Sequence, residues 1–130
     1  MPNRPAEARF RVLRRGAGIT AAAVMATLLW LHGALYVEGN SMRPALAAGD
    51  VIVYRRGVAP SVGELAVFEH DGSLVVHRMT AQYKDGSIAT RGDANHFGDR
   101  SPVPPEAVRG TVVLAVPAGR LVANLADVRR

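Results

Sequence analysis

Between Ala17 and Val37 there is no Asp, Glu, Lys or Arg and the one histidine is His32, and an apolar run of about twenty residues is long enough to cross a bilayer as a helix. Arg9, Arg11, Arg14 and Arg15 stand just before it. Basic residues are retained on the cytoplasmic side, so the pattern predicts a cytoplasmic N-terminus with everything after Val37 outside. Trp30 and Tyr36, toward the distal end, suit the interface at which the chain would leave the membrane. The expected organisation is a basic tail over 1–16, a transmembrane anchor over 17–37 and an extracytoplasmic domain over 38–130, giving a single-pass protein of the cell membrane with the lipid bilayer as a partner. Two other readings stay open on hydropathy alone. A cleaved secretory signal would have a shorter apolar core and a small-x-small site, which Gly33-Ala34-Leu35 serves poorly. A buried helix of a soluble domain is the other.

Past the anchor the hydrophobic pattern changes to short runs. Val51-Ile52-Val53-Tyr54, Leu65-Ala66-Val67-Phe68, Leu74-Val75-Val76 and Thr111-Val112-Val113-Leu114 read as strands. Asp71-Gly72 and Asp85-Gly86 are dipeptides favoured by two-residue hairpins, whose central positions need positive φ. They predict a meander from Glu64 to about Arg91. Ser101-Pro102-Val103-Pro104-Pro105 is expected as loop, because proline has no N–H to give a ladder. Leu121 to Val128 reads as a short surface helix. With 130 residues there is room for one small core, and 13 glycines and 8 prolines suit turns between strands better than a helical bundle.

Composition removes several classes of function. There is no cysteine, which excludes disulfides, a thiolate nucleophile and zinc-thiolate sites. The net charge of +5 invites a nucleic-acid reading, but five arginines against Glu7 precede Glu38. From Glu38 on, ten acids face ten arginines and Lys84, so that part is nearly neutral and offers no phosphate-tracking surface. No nucleic-acid partner is expected.

Gly39-Asn40-Ser41-Met42-Arg43-Pro44-Ala45-Leu46 lies between the apolar run and the first strand, and by itself Gly-Asn-Ser is an ordinary turn. Read with Gly63-Glu64-Leu65-Ala66-Val67-Phe68, Val76-His77-Arg78 and Arg91-Gly92-Asp93-Ala94-Asn95 through Asp99-Arg100, it resembles the type I signal peptidase family. The four blocks occur in that family's order at compatible spacing, over Gly39 to about Val113. The resemblance implies a mainly β fold, a signal-peptidase-like domain of coiled antiparallel sheets behind one N-terminal transmembrane helix. It also implies a serine endopeptidase that removes signal peptides from exported preproteins, with Ser41 as nucleophile and no metal or cofactor.

Most bacterial members pair the serine with a lysine, whereas the endoplasmic-reticulum-like branch has a histidine at the position of His77. The only lysine here is Lys84, beside the Asp85-Gly86 turn, where solvent would keep it protonated. Histidine is then the base, and imidazole suits proton abstraction near neutral pH. Taken alone, His77 reads as a half-buried strand histidine, His70 as a solvated one at a hairpin tip, and His96 as a rival base. Asp99 stands where that branch carries the aspartate of a Ser-His-Asp site, and Asp93 is expected to brace the site through loop backbone. Either aspartate has an alternative pairing with Arg91 or Arg100. Many members have a serine two places before the nucleophile whose hydroxyl helps hold the oxyanion. That place is Gly39, which leaves the Ser41 N–H and the Asn40 amide as candidate donors. By family analogy the substrate lies extended along a strand edge, with small side chains such as alanine in shallow pockets near Met42 and Pro44. A dedicated maturation protease for one or a few secreted proteins fits the same residues, as does a non-catalytic binding domain of this fold. A self-cleaving transcriptional repressor would need a DNA-binding domain where this chain has its apolar run.

Overall fold

The computed structural model describes residues 5–127. Helix α1 (Pro5–Leu31) is one compact unit, and the chain from His32 on is a second. The predicted anchor is therefore not one element. Its last residues leave the helix and form strand β1 (His32–Tyr36), which pairs antiparallel with β2 (Val51–Arg56). A reason lies in Gly33, which faces Tyr54 across the pair. A Cβ at Gly33 would come within 2.3 Å of the Tyr54 ring, so only glycine lets that buried ring close over the neighbouring strand. The apolar helical stretch left from Ala17 to Leu31 spans about 22 Å, short of a hydrocarbon core of about 30 Å. Among the described residues no helix is long and apolar enough to cross a membrane. The predicted tail over 1–16 is likewise no separate element, since α1 begins at Pro5; residues 1–4 lie outside the described residues, as does Val128 at the predicted end of the last helix.

The second unit is built on one six-stranded antiparallel sheet in the order β1-β2-β6-β3-β4-β5. Its remaining strands are β3 (Leu65–His70), β4 (Ser73–Gln82), β5 (Ile88–Arg91) and β6 (Val108–Val116), and helix α2 (Ala118–Asp127) follows. The β3–β4 hairpin turns on Asp71 and Gly72, at φ of 49° and 75°. The β4–β5 connection does not use its Asp-Gly dipeptide in that way. Asp85 Oδ1 accepts from both the N–H and the hydroxyl of Ser87, and only Gly86 has positive φ. An aspartate that captures the backbone two residues on makes a longer local turn than a two-residue hairpin allows. In the proline-rich loop, Val103 retains a donor and exchanges two backbone hydrogen bonds with Ile88, so this stretch seals the sheet edge beside β5.

Alternation along β3 sends its side chains to opposite faces, and both are buried. Val67 joins Met42, Leu46, Ile52, Tyr54 and Val76 on one side. Ala66 and Phe68 join Met79, Ile88 and Val103 on the other. The segment after β1 closes the first of these cores. Leu46 N–H donates to Met42 O at 3.0 Å, one helical turn, which directs both side chains inward.

Asp50, with no exposed surface, locks that segment. Its carboxylate accepts from Ala47 N–H, Gly119 N–H and Arg120 at 3.0, 3.2 and 3.2 Å. Burial acts to raise its pKa, but the Ala47 N–H bond and then Arg120 outweigh it and hold the group below the usual carboxylate range. Asp50→Ala leaves the buried Ala47 N–H and the half-buried Gly119 N–H without their acceptor, which costs about 1–3 kcal/mol. Thermal unfolding should show the loss as a lower midpoint, and an unchanged midpoint would remove the lock from the account.

Candidate active site

The inward pull of Met42 and Leu46 leaves Ser41 at the outer side of its turn, half-buried. Asn40 braces the turn with its side-chain oxygen, which accepts from Arg43 Nε at 2.9 Å and from Ala48 N–H at 3.4 Å. Behind it, Ala94 N–H donates to Ser41 O at 2.8 Å. Gly92 permits this approach, because a Cβ there would lie 2.6 Å from Ser41 O and 3.0 Å from Ser41 Cβ. The turn from the start of the domain and the loop after β5 are thus in direct contact.

His77 lies on β4 opposite Ala66, on the face it shares with Val75 and Met79. Its side chain is 11% exposed, and its ring meets Phe68 edge-on with centroids 6.1 Å apart. Nε2 is 3.0 Å from Ser41 Oγ, and Nδ1 is 2.6 Å from Asp99 Oδ2. Thr90 Oγ1 donates to the same Asp99 oxygen at 2.6 Å, and Asp99 N–H donates to Thr90 O at 2.9 Å. A carboxylate only accepts, so Nδ1 carries the hydrogen and the Nε2 lone pair of a neutral ring faces the serine hydroxyl. Ser41, His77 and Asp99 are brought together from three separate stretches of chain. Asp93 is not bonded to loop backbone as expected. Both its oxygens take the Arg78 guanidinium, at 2.8 and 2.6 Å, and Arg78 also donates to Gly63 O. Arg78 is the neighbour of His77 in sequence but lies on the other face of the strand, so this fork ties β4 to the Asp93 loop while the imidazole stays free for Ser41.

His70 is exposed beside Asp71, and His96 and Lys84 are exposed, with no hydrogen bond to the relay among the described residues. Met42 is buried and reaches the cleft beside Ser41 only as part of its floor, while Pro44 is exposed and lines neither cleft that meets the relay. The turn that buries Met42 with Leu46 carries Pro44 to its outer side. Thr90 and Arg78 were not read from the sequence. Arg78 could have been suspected from its place beside a strand histidine and the two later aspartates. Thr90 gave no signal, since its role depends on β5 running beside Asp99. Among the described residues no cluster of side chains could hold a metal ion.

Two clefts meet at this relay. The first, about 490 Å³, lies between Leu35 to Gly39 on one side and Ser73 to Val76 on the other, with Ser41 and Met42 at its floor. Both walls are open strand edges. β1 is the outer strand of the sheet, and β4 pairs with β5 only from Arg78 onward. The second cleft is reached past His77.

A hydroxyl, an imidazole and a carboxylate in series beside a cleft with free strand edges define a serine peptidase-type site. The model of the Peptidase S24-like family matches residues 28–103, a span that includes all three groups, and the chain belongs to that family. No curated protein matches the chain. The match supports a serine peptidase-type domain without selecting the type I signal peptidase branch that the sequence motifs resemble.

The Arg78 hydrogen bonds outweigh partial burial and hold the Asp93 carboxyl below the usual range. A carboxyl depressed on folding contributes stability above its unfolded pKa of about 4 and loses it as pH falls through the lower folded value. The melting temperature of wild type should exceed that of Asp93→Asn by a nearly constant margin from neutral pH to about pH 5, then converge with it in stronger acid. A margin that stays constant down to the acid limit would show that the ion pair is not its source.

Proposed function

We propose that the protein is a membrane-associated serine endopeptidase that removes signal peptides from exported preproteins through an acyl-enzyme on Ser41. The observation that carries this is the relay itself, with Ser41 Oγ 3.0 Å from an imidazole whose other nitrogen is 2.6 Å from Asp99. As Ser41 Oγ attacks the scissile carbonyl, its proton passes to His77 Nε2. The imidazolium that forms is held by Asp99, which Thr90 orients. Collapse of the tetrahedral intermediate breaks the C–N bond, and the leaving amine takes the proton from Nε2. Water then repeats the sequence on the ester, giving up its proton to Nε2 and restoring the serine.

The first cleft supports an extended substrate. Its two unpaired edges offer main-chain hydrogen bonds on both sides of a peptide, and a floor filled by Met42 leaves space for small side chains such as alanine. This is the recognition expected for preproteins with small residues before the cleavage site. Membrane association is supported by exposed apolar residues on α1, among them Ile19, Leu29 and Trp30, which suit a lipid surface. The oxyanion falls to the Ser41 backbone N–H, which has no acceptor among the described residues. Asn40, its oxygen committed to the turn, offers its amide hydrogens as one candidate for the second donor, and the place of a side chain at position 39 is the other.

Ser41→Ala should leave the melting temperature near wild type and reduce cleavage of secreted precursors by at least about ten-thousandfold. Retained cleavage, read by sequencing new N-termini, would end the proposal. Gly39 lines the same cleft, and a Cβ there would meet nothing within 4 Å. Gly39→Ser adds a hydroxyl near the forming oxyanion and should raise kcat about tenfold or more, given what one such donor contributes. An unchanged kcat would mean that the second donor is already in place.

A further inference from the structure

The second cleft, about 520 Å³, has no part in the steps above. Phe68, Val75 and Val103 give it apolar walls, His77 and Asp99 stand at one end, and Arg100 lines it. Val75 belongs to both clefts, so β4 passes from one to the other, with Ser41 facing the first and His77 the second. We propose, on the strength of the serine peptidase reading, that this second cleft receives the residues following the scissile bond and that Arg100 favours an acidic side chain among them.

Proton delivery fixes the direction. The acyl half of the substrate stays bonded to Ser41 Oγ, whereas the amine must be within reach of His77 Nε2 as it leaves. A peptide extended along β4 therefore has its acyl half in the cleft that Ser41 lines and its leaving half in the cleft that His77 lines. The volume suits a short peptide segment. The charges around it supply the preference. Asp99 is bonded to His77 and Thr90, Glu69 is paired with Arg109, and His70 lies beside Asp71. Arg100 has no hydrogen bond or ion pair among the described residues. An unpaired guanidinium beside apolar walls attracts a carboxylate more strongly than one in open solvent does.

The test uses the purified full chain and peptides identical up to an alanine at the scissile bond, with Asp, Ala or Lys at the second position after it. For wild type, kcat/KM for the Asp peptide should exceed that for the Lys peptide about three- to fivefold, the range of a partly exposed charge pair. Arg100→Ala should abolish the ratio and Arg100→Glu invert it, the ratio being read between the Asp and Lys peptides within each protein. The same ratio in all three proteins overturns the proposal. If wild type cleaves no peptide, the peptidase reading fails, and NMR titration of Ser41→Ala with the Asp peptide decides the cleft by itself. Shifts at Phe68, Ser101 and Val103 that weaken in a Ser41→Ala/Arg100→Glu protein support it; shifts confined to residues 35–39 overturn it.

Discussion

A carboxylate with no exposed surface holds the active turn in place. Asp50 draws in the Ala47 N–H from the turn and the Gly119 N–H and Arg120 from the start of α2. Its own backbone carbonyl accepts from Val37 N–H, so the entry and exit of the turn are fastened to each other. Between those points Met42 and Leu46 have one helical turn in which to reach the core. Ser41 is left outside because its neighbours are pulled in. A hydroxyl held in this way has few alternative positions relative to the imidazole 3.0 Å away.

The sheet solves a second problem, that of burying His77 enough to orient it without sealing it off. Because both faces of β3 are covered, the adjoining strand β4 has a dry side on which an imidazole can rest against Phe68. β5 pairs with only the later half of β4, so the half that leads up to His77 is an open edge. The relay therefore stands where a covered strand becomes an uncovered one. Edge backbone is normally a liability in a folded domain, and here it borders the cleft assigned to the proposed substrate.

Much of this was legible beforehand. Val51–Tyr54, Leu65–Phe68, Leu74–Val76 and Thr111–Leu114 all fall within strands, and Asp71-Gly72 makes the tight turn, because period and turn chemistry are local properties. The misreadings have a common origin. His32 to Tyr36 is apolar enough to continue a helix, and nothing local shows that Gly33 makes room for a tyrosine over twenty positions later. The expectation of backbone partners for Asp93 fails because an aspartate in a Gly-Asp-Ala stretch does not reveal the Arg78 guanidinium on β4. Pro44 was placed at the cleft from its closeness to Ser41 in sequence, but a helical turn reverses direction within two residues.

The sequence by itself determined the chemical types at the site and their order along the chain. With no cysteine and one lysine next to a turn, a hydroxyl nucleophile had only imidazole to serve it. The family resemblance singles out His77 and Asp99, but whether either lies near Ser41 is set by the tertiary structure. Hydrogen bonds reach about 3 Å, while Ser41 and His77 are 36 positions apart and His77 and Asp99 are 22. Only strand register and the packing of the 38–50 segment onto the sheet can bring such distances down to contact.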